Sequence, residues 1–197
     1  MKAITTKSDT LAVGALNTLD EITKSPSILQ NFSALSAAAN LIASPQIRNK
    51  ATIGGNILVD NRCIFYNQSS FNRFANNPCF KASGDLCHLV KSAGPNDEIR
   101  CRARAVSDLV PVLTVYDAKL VYASNKGGRE QKLKELFSGD GIKNKCLADS
   151  EVLLNIELKI NKEKKVRYKK LRVRNTIDFP ALGVAVVRVL EAAEYSA

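Results

Sequence analysis

The chain has 197 residues, 45% of them apolar, which suffices for a hydrophobic core and separates it from disordered sequences. No apolar run reaches the roughly 18 residues of a membrane span, and the start, Met1-Lys2-Ala3-Ile4-Thr5, lacks the apolar stretch of a secretion signal, so a cytoplasmic location is the expectation. The net charge of +10 admits an anionic partner, but the densest cationic stretch, Lys162 to Arg174, alternates with apolar residues as a strand does; neither nucleic acid nor membrane is expected.

In chain order, Thr10 to Ala15 reads as a short strand. Thr18 followed by Glu21 is a capping-box pattern opening a helix. Ile28, Leu29, Phe32, Leu35, Ala38, Ala39 and Ile42 recur at helical spacing and predict a second helix, ended by Ala43-Ser44-Pro45. Residues 60–101 show no sustained period of either kind, and a loop that long in a compact chain is functional or held by something other than a core. Ser107 caps a short helix over Asp108 to Leu113, with Pro111 in its first turn. Ala118 to Tyr122 alternates as a strand, and Gln131 to Phe137 reads as a short helix. Glu151 to Ile160 and Val166 to Arg174 read as two strands of one hairpin across a Lys-rich turn. Ala181 to Leu190, rich in valine, reads as a buried strand. The mixture predicts an α+β layered domain.

Two segments carry candidate chemistry. In Thr52-Ile53-Gly54-Gly55-Asn56 the paired glycines permit positive φ and close approach of a ligand, and successive N–H groups can form an anion-binding nest; a plain turn is the simpler alternative. The segment is neither the dinucleotide fingerprint nor a P-loop. The second segment holds Cys63, Cys79, Cys87 and Cys101 within 39 residues, at spacings of 16, 8 and 14. Four thiolates complete a zinc or iron–sulfur site, and a metal would replace the missing core of the loop; scattered free thiols are the alternative. The fifth cysteine, Cys146, is expected as a small apolar core residue. His88, beside Cys87, is expected as a neighbour donating to the site, or as a ligand in place of one cysteine.

Ile42 to Asn49 followed by Ala51-Thr52-Ile53-Gly54-Gly55-Asn56 resembles the flavin-binding segment of the molybdenum hydroxylases, the xanthine dehydrogenase family. Ser107-Asp108-Leu109 with Pro111, and Tyr168, Lys170, Arg172 and Arg174 leading to Asp178-Phe179-Pro180, resemble two later stretches of the same flavin subunits. The resemblance implies FAD contacts at Thr52, Ile53, Gly54, Gly55, Asn56, Asp108 and Lys170. Lys170 would lie near the flavin as a cation favouring its reduced, anionic form. On residues alone, Asp108 reads equally as a first-turn carboxylate held by the helix dipole, and Lys170 as a solvated strand lysine. Within the family, Asp60-Asn61-Arg62-Cys63, Cys79-Phe80-Lys81 and Gly84-Asp85-Leu86-Cys87-His88 look like the extra loop of the 4-hydroxybenzoyl-CoA reductase flavin subunits. That implies a [4Fe–4S] cluster on Cys63, Cys79, Cys87 and Cys101, the last following a longer spacer than that loop has.

The implied fold is the second lobe of the FAD-binding domain, a mixed or antiparallel sheet with flanking helices and a cysteine-bearing insertion. The expected divisions are 1–59 with the glycine loop, 60–101 as the iron–sulfur loop, 102–178 as the rest of the lobe, and 179–197 as the start of a further domain. The family's Gly-Gly-Thr-Asp-Leu pyrophosphate loop is not found, and 17 residues follow Pro180, so the chain corresponds to the middle of such a subunit. The implied function is electron transfer between the cluster and FAD, with no general acid, base or nucleophile in this chain. Its implied partners are a molybdenum-cofactor large subunit, a [2Fe–2S] small subunit and a ferredoxin-like donor. Three alternatives stay open: another molybdenum hydroxylase such as a purine or aldehyde enzyme, a zinc-stapled basic module for nucleic acid, and a folded remnant that binds nothing.

Overall fold

The structure is a computed structural model that describes residues 1–90, 100–175 and 177–189. It opens with a hairpin of β1 (Ile4–Lys7) and β2 (Thr10–Gly14), turned through Ser8 at φ 51°. Thr18 caps α1 (Leu19–Lys24) with the expected box: its hydroxyl accepts the Glu21 N–H at 3.2 Å, and Glu21 Oε2 accepts the Thr18 N–H at 2.9 Å. The apolar run from Ile28 onward is two helices, α2 (Pro26–Asn31) and α3 (Ser33–Asn40). Phe32 breaks it at φ −136°; its buried ring packs edge-on to Tyr116 at 5.0 Å, a tertiary contact that outweighs the helical period. Four short helices follow: α4 (Pro45–Arg48), α5 (Ile53–Ile57), α6 (Ser70–Ala75) and α7 (Leu109–Val115).

The remaining strands are β3 (Lys119–Ser124), β4 (Gly127–Lys132), β5 (Val152–Lys159), β6 (Lys164–Leu171) and β7 (Leu182–Val189). Gln131 and Lys132 belong to β4, paired with Leu120 and Lys119, so the helix expected from Gln131 shrinks to a 3-10 turn at Leu133–Leu136. Five strands form an antiparallel sheet in the order β1-β2-β5-β3-β4. The hairpin expected between the two strands around the Lys-rich turn does not form. Both edges of β5 are taken, by β2 and β3, and β6 pairs with β7 instead. β7 is not buried either: Val184 is 44% and Val186 60% exposed, because only one face of the two-stranded sheet packs, on α3 and α7. Leu190, the expected last residue of that strand, lies outside the described residues. No helix among the described residues is long and apolar enough to cross a membrane.

The chain divides into two compact units. The larger comprises residues 1–58, 107–134 and the described chain from Ala148 onward, and holds both sheets. Its core is Leu11, Val13, Leu120, Ile156 and Leu158 from the sheet with Leu19, Ile22, Ile28, Leu35, Leu109 and Leu113 from helices, all inaccessible to solvent. Each such side chain contributes on the order of 1.5–3 kcal/mol by burial. The smaller unit comprises Val59–Val106 and Glu135–Leu147. The second of these pieces comes from a stretch assigned by sequence to the surrounding lobe. The unit carries α6 and a 3-10 turn at Phe80–Ala82.

Candidate functional site

In the larger unit the glycine pair is helical. Thr52 is the N-cap of α5, its hydroxyl accepting the Gly55 N–H at 3.1 Å, and neither glycine has positive φ. The other amides of the turn are also spent: Ile53 N–H on the Asn17 carbonyl, Gly54 N–H on the Ala15 carbonyl, and Asn56 N–H on the Thr52 carbonyl. The expected anion-binding nest is therefore absent, because those N–H groups join the segment to its own fold. The two glycines have different tasks. A Cβ on buried Gly54 would lie 2.9 Å from the Ala15 carbonyl oxygen and Cβ, so this glycine lets α5 meet the end of β2. Gly55 is exposed, and a Cβ there would meet only the Thr52 hydroxyl, at 3.1 Å.

Asn56 is the most informative residue of the segment. Its Oδ1 accepts from the Ser107 hydroxyl at 2.8 Å and from the Leu109 N–H at 3.4 Å. That fixes which end of the carboxamide faces α7. The opposite end, Nδ2, donates to no partner among the described residues.

One residue after Ser107, Asp108 is 3% exposed. Its Oδ1 accepts from the Tyr168 hydroxyl at 2.9 Å and its Oδ2 from Lys170 Nζ at 3.1 Å. Lys170 also donates to the Leu41 carbonyl at 3.2 Å and the Asp178 carbonyl at 2.8 Å, so all three of its protons are placed. Burial pushes the Asp108 carboxyl above the usual carboxylate range, opposed by Lys170 and Tyr168. Burial and the neighbouring Asp108 charge push the Tyr168 phenol well up. Asp108 makes no side-chain cap of α7, and Lys170 is no solvated strand lysine: both are members of a closed, satisfied cluster. Tyr168 and Lys170 alternate on the packed face of β6. Further on, Arg172 donates to the Leu41 carbonyl at 3.3 Å and Arg174 pairs with Asp178 at 3.6 Å. The carbonyl at the end of α3 thus receives two cations, the favourable sign for a helix C-terminus.

Three residues of this cluster, Ser107, Tyr168 and Gly183, carry no site assignment from sequence. Ser107 reads only as a cap, yet it also orients Asn56. Gly183 faces Lys170 across β6–β7, and a Cβ there would lie 2.9 Å from the Tyr168 hydroxyl. The i, i+2 relation of Tyr168 to Lys170 is the one sequence signal that could have joined the tyrosine to the site.

The smaller unit holds every cysteine, none in a disulfide. An isolated parallel bridge between Cys79 and Leu86 sets Cys79 beside the chain leading into Cys87. The Cys87 thiol is near enough to Cys101 to act on it electrostatically, and burial pushes the Cys101 thiol up. Cys63 N–H bonds Asn67 Oδ1 at 3.0 Å. Among the described residues no three His, Cys, Asp or Glu side chains are gathered as a metal-binding group, so the four cysteines do not present a formed cluster site. His88 stacks on Phe65 at 4.9 Å, with Nε2 at 2.9 Å from the Asn77 carbonyl. Cys146 is exposed and belongs to this unit, not to an apolar core, because its segment enters the unit through polar bonds. Those bonds run from Asn144 to Asp60 and Asn61, from Lys145 to the Val59 carbonyl, and from Lys81 to the Gly141 carbonyl.

Residues 1–158 match the family model described as the FAD binding domain in molybdopterin dehydrogenase. The nicotinate dehydrogenase FAD-subunit of Eubacterium barkeri is 25% identical over 154 residues, 78% of this chain and 38% of that one. The 6-hydroxypseudooxynicotine dehydrogenase complex subunit alpha of Paenarthrobacter nicotinovorans is 54% identical over 52 residues, 26% of this chain and 18% of that one. The solved carbon monoxide dehydrogenase of Hydrogenophaga pseudoflava, in a form lacking the Mo-pyranopterin moiety of its cofactor, superimposes with a TM-score of 0.68 at 21% identity, over 96% of this chain and 50% of that one. The chain therefore spans half or less of the length of these relatives. With the model matched over most of its length, and with the antiparallel sheet and flanking helices of that fold in place, the chain belongs to the FAD-binding domain family of the molybdopterin dehydrogenases.

Proposed function

We propose that this chain forms part of the flavin site of a molybdenum-hydroxylase-type oxidoreductase, with FAD seated against Gly55 and Asn56. The observation that carries the reading is the Asn56 carboxamide: its oxygen is locked by Ser107 and Leu109, and its Nδ2 is left as an oriented donor. A flavin ring presents carbonyl and ring-nitrogen acceptors, which suit such a donor. The bare Cα of exposed Gly55 lets a flat ring approach the start of α5. Asp108, the residue after Ser107, is held by Tyr168 and Lys170, which anchors the chain next to the Asn56–Ser107 contact. Bound FAD would supply reversible one- and two-electron transfer; the chain's own residues would bind and orient it. In the same reading the chain works beside a large subunit with a molybdenum cofactor and a small [2Fe–2S] subunit.

Titration of FAD with the purified chain, followed by quenching of flavin fluorescence, tests this. Saturable quenching that is lost in Asn56→Leu and kept in a surface control such as Lys50→Gln supports the site. Identical titrations for the wild type and Asn56→Leu would remove Asn56 from it.

A finer reading makes the chain the flavin subunit of a 4-hydroxybenzoyl-CoA reductase-like enzyme, with a [4Fe–4S] cluster in the cysteine unit and a ferredoxin-like donor. What favours it is the poverty of that unit's core. Ile64, Phe71, Phe74 and Leu89 are more than half exposed, while four cysteines lie in the same unit. A cluster would then be the organiser that apolar burial does not provide, and the cysteines would have to gather around it. Anaerobic reconstitution with iron and sulfide tests it. About four irons and four sulfides per chain, as the cluster formula requires, lost in Cys79→Ser, support the cluster. Zinc without sulfide points to a metal-stapled module, and no metal at all removes the finer reading.

A further inference from the structure

A concavity of about 260 Å³ in the larger unit is separate from the flavin candidates, none of which lines it. One wall is the turn after β5 and the first half of β6, which present Lys162, Lys164, Lys165 and Arg167. Lys164 is paired with Asp117. Lys162, Lys165 and Arg167 are exposed and have no ion-pair partner among the described residues. The acids close by are otherwise engaged or turned outward. Asp9 pairs with Lys159 at 3.7 Å, and Glu163 sits exposed on the turn, its N–H on Asn161 Oδ1.

The opposite wall is the junction of α2 and α3. Gln30 contributes an exposed carboxamide and Ser33 a hydroxyl at the first position of α3, whose N-cap Phe32 offers no side-chain acceptor. Tyr116 lies buried in the lining; burial pushes its phenol up, and its hydroxyl oxygen accepts from the Ala34 N–H. Three cations without an ion-pair partner among the described residues and two neutral donors converge here on a space at the small end of ligand pockets. Like charges that line one concavity repel one another, and an anion between them relieves the repulsion. Arg167 Nη1 donates one proton to the Val166 carbonyl at 3.3 Å, and the remaining N–H groups of its planar fork suit a tetrahedral oxyanion in two-point contact.

We propose that this concavity is an anion site for the phosphate group of a small molecule, held by Lys162, Lys165 and Arg167 with Ser33 and Gln30 as neutral donors. The phosphate can belong to inorganic pyrophosphate or to the tail of a nucleoside diphosphate, and the two sources are distinguished by using both as probes.

Titration calorimetry with inorganic pyrophosphate and with ADP at roughly 50 and 200 mM salt, on the wild type, Lys165→Gln/Arg167→Gln and the control Lys50→Gln, tests the site. The expected result is saturable binding of about one ligand per chain, unchanged in the control and weakened about tenfold or more in the double variant. Equal affinity for both probes assigns the contact to phosphate alone; tighter ADP binding extends it to the nucleoside. Equal weakening in the double variant and the control, binding that never saturates, or heat only from an acidic polypeptide such as polyglutamate would overturn the proposal. Thermal melts of each variant identify any that has lost its fold. In that event the single variant Arg167→Lys, which keeps the charge and loses the fork, is compared with the wild type, and unchanged pyrophosphate affinity in it overturns the two-point contact.

Discussion

Lys170 Nζ lies 3.1 Å from Asp108 Oδ2, with the two side chains 1% and 4% exposed. Tyr168 and two backbone carbonyls satisfy the remaining bonds of the pair. A buried pair of this kind contributes little against a well-packed apolar substitute, but breaking it leaves one charge stranded. We expect Lys170→Met to destabilise the larger unit by about 3–5 kcal/mol in urea denaturation. The loss should be partly recovered in Lys170→Met/Asp108→Asn. The pH dependence has a definite sign. Without its cation the buried Asp108 holds a proton more readily in the folded than in the unfolded state, so the variant should gain stability as pH falls from 7 toward 5. A variant whose deficit is the same at both pH values would show that Asp108 is not stranded.

The two glycines of α5 should separate fold from ligand. Gly54→Ala places a methyl against Ala15 and should destabilise by about 1–3 kcal/mol, since the obstructing atoms include backbone. Gly55→Ala meets only the Thr52 hydroxyl and should leave the melting temperature within a few degrees of wild type. If FAD approaches at Gly55, the same methyl should weaken flavin quenching several-fold. Equal loss of stability in both variants would mean that the helix start is tighter than its geometry indicates.

Asn56 makes a further distinction possible. Ser107→Ala removes one of two donors to Oδ1 and the acceptor of the Val110 N–H at the start of α7, and leaves Nδ2 intact, at a stability cost of about 1–3 kcal/mol. Flavin affinity should fall less in Ser107→Ala than in Asn56→Leu, because the donor remains but is less firmly oriented. The comparison is read from parallel fluorescence titrations. A larger effect of Ser107→Ala would make the serine itself the contact.

Much of the fold was legible where the signal is local. The Thr18–Glu21 box, the strand at Thr10 and the cap by Ser107 all depend on neighbours within a few residues. What was not legible is the pairing of strands. β5 and β6 adjoin in sequence, and only the occupation of both β5 edges by β2 and β3 sends β6 elsewhere. The exposure of β7 was hidden for the same reason, since a run of valines does not say whether both faces will be covered. At the site, the glycine segment is visible in the sequence as a motif, but its helical geometry is not. Its amides answer to Asn17 and Ala15, partners tens of residues away. Residues 135–147 join the cysteine unit through bonds of side chains to backbone and to other side chains, interactions without sequence periodicity.

Glu151 is neither a flavin candidate nor part of the lining of the concavity beside β6. Its carboxylate receives both Arg129 Nε and Nη2 and accepts the Ala148 N–H at 2.9 Å; Arg129 in turn lies over the Tyr122 ring at 4.7 Å. Arg129 first and the Ala148 N–H second hold the Glu151 carboxyl down at about 2. A carboxyl lowered on folding contributes stability above its unfolded value of about 4.3, and that contribution disappears as pH falls toward the folded value. Other carboxyls titrate in the same range, so the informative quantity is the difference between variant and wild type. Glu151→Gln should melt below the wild type at neutral pH, and the gap should close between about pH 4.5 and 2. Circular dichroism melts at half-unit steps measure it. A gap that stays constant across that range would mean that the glutamate acts through packing, and that its charge pairing with Arg129 adds nothing to the fold.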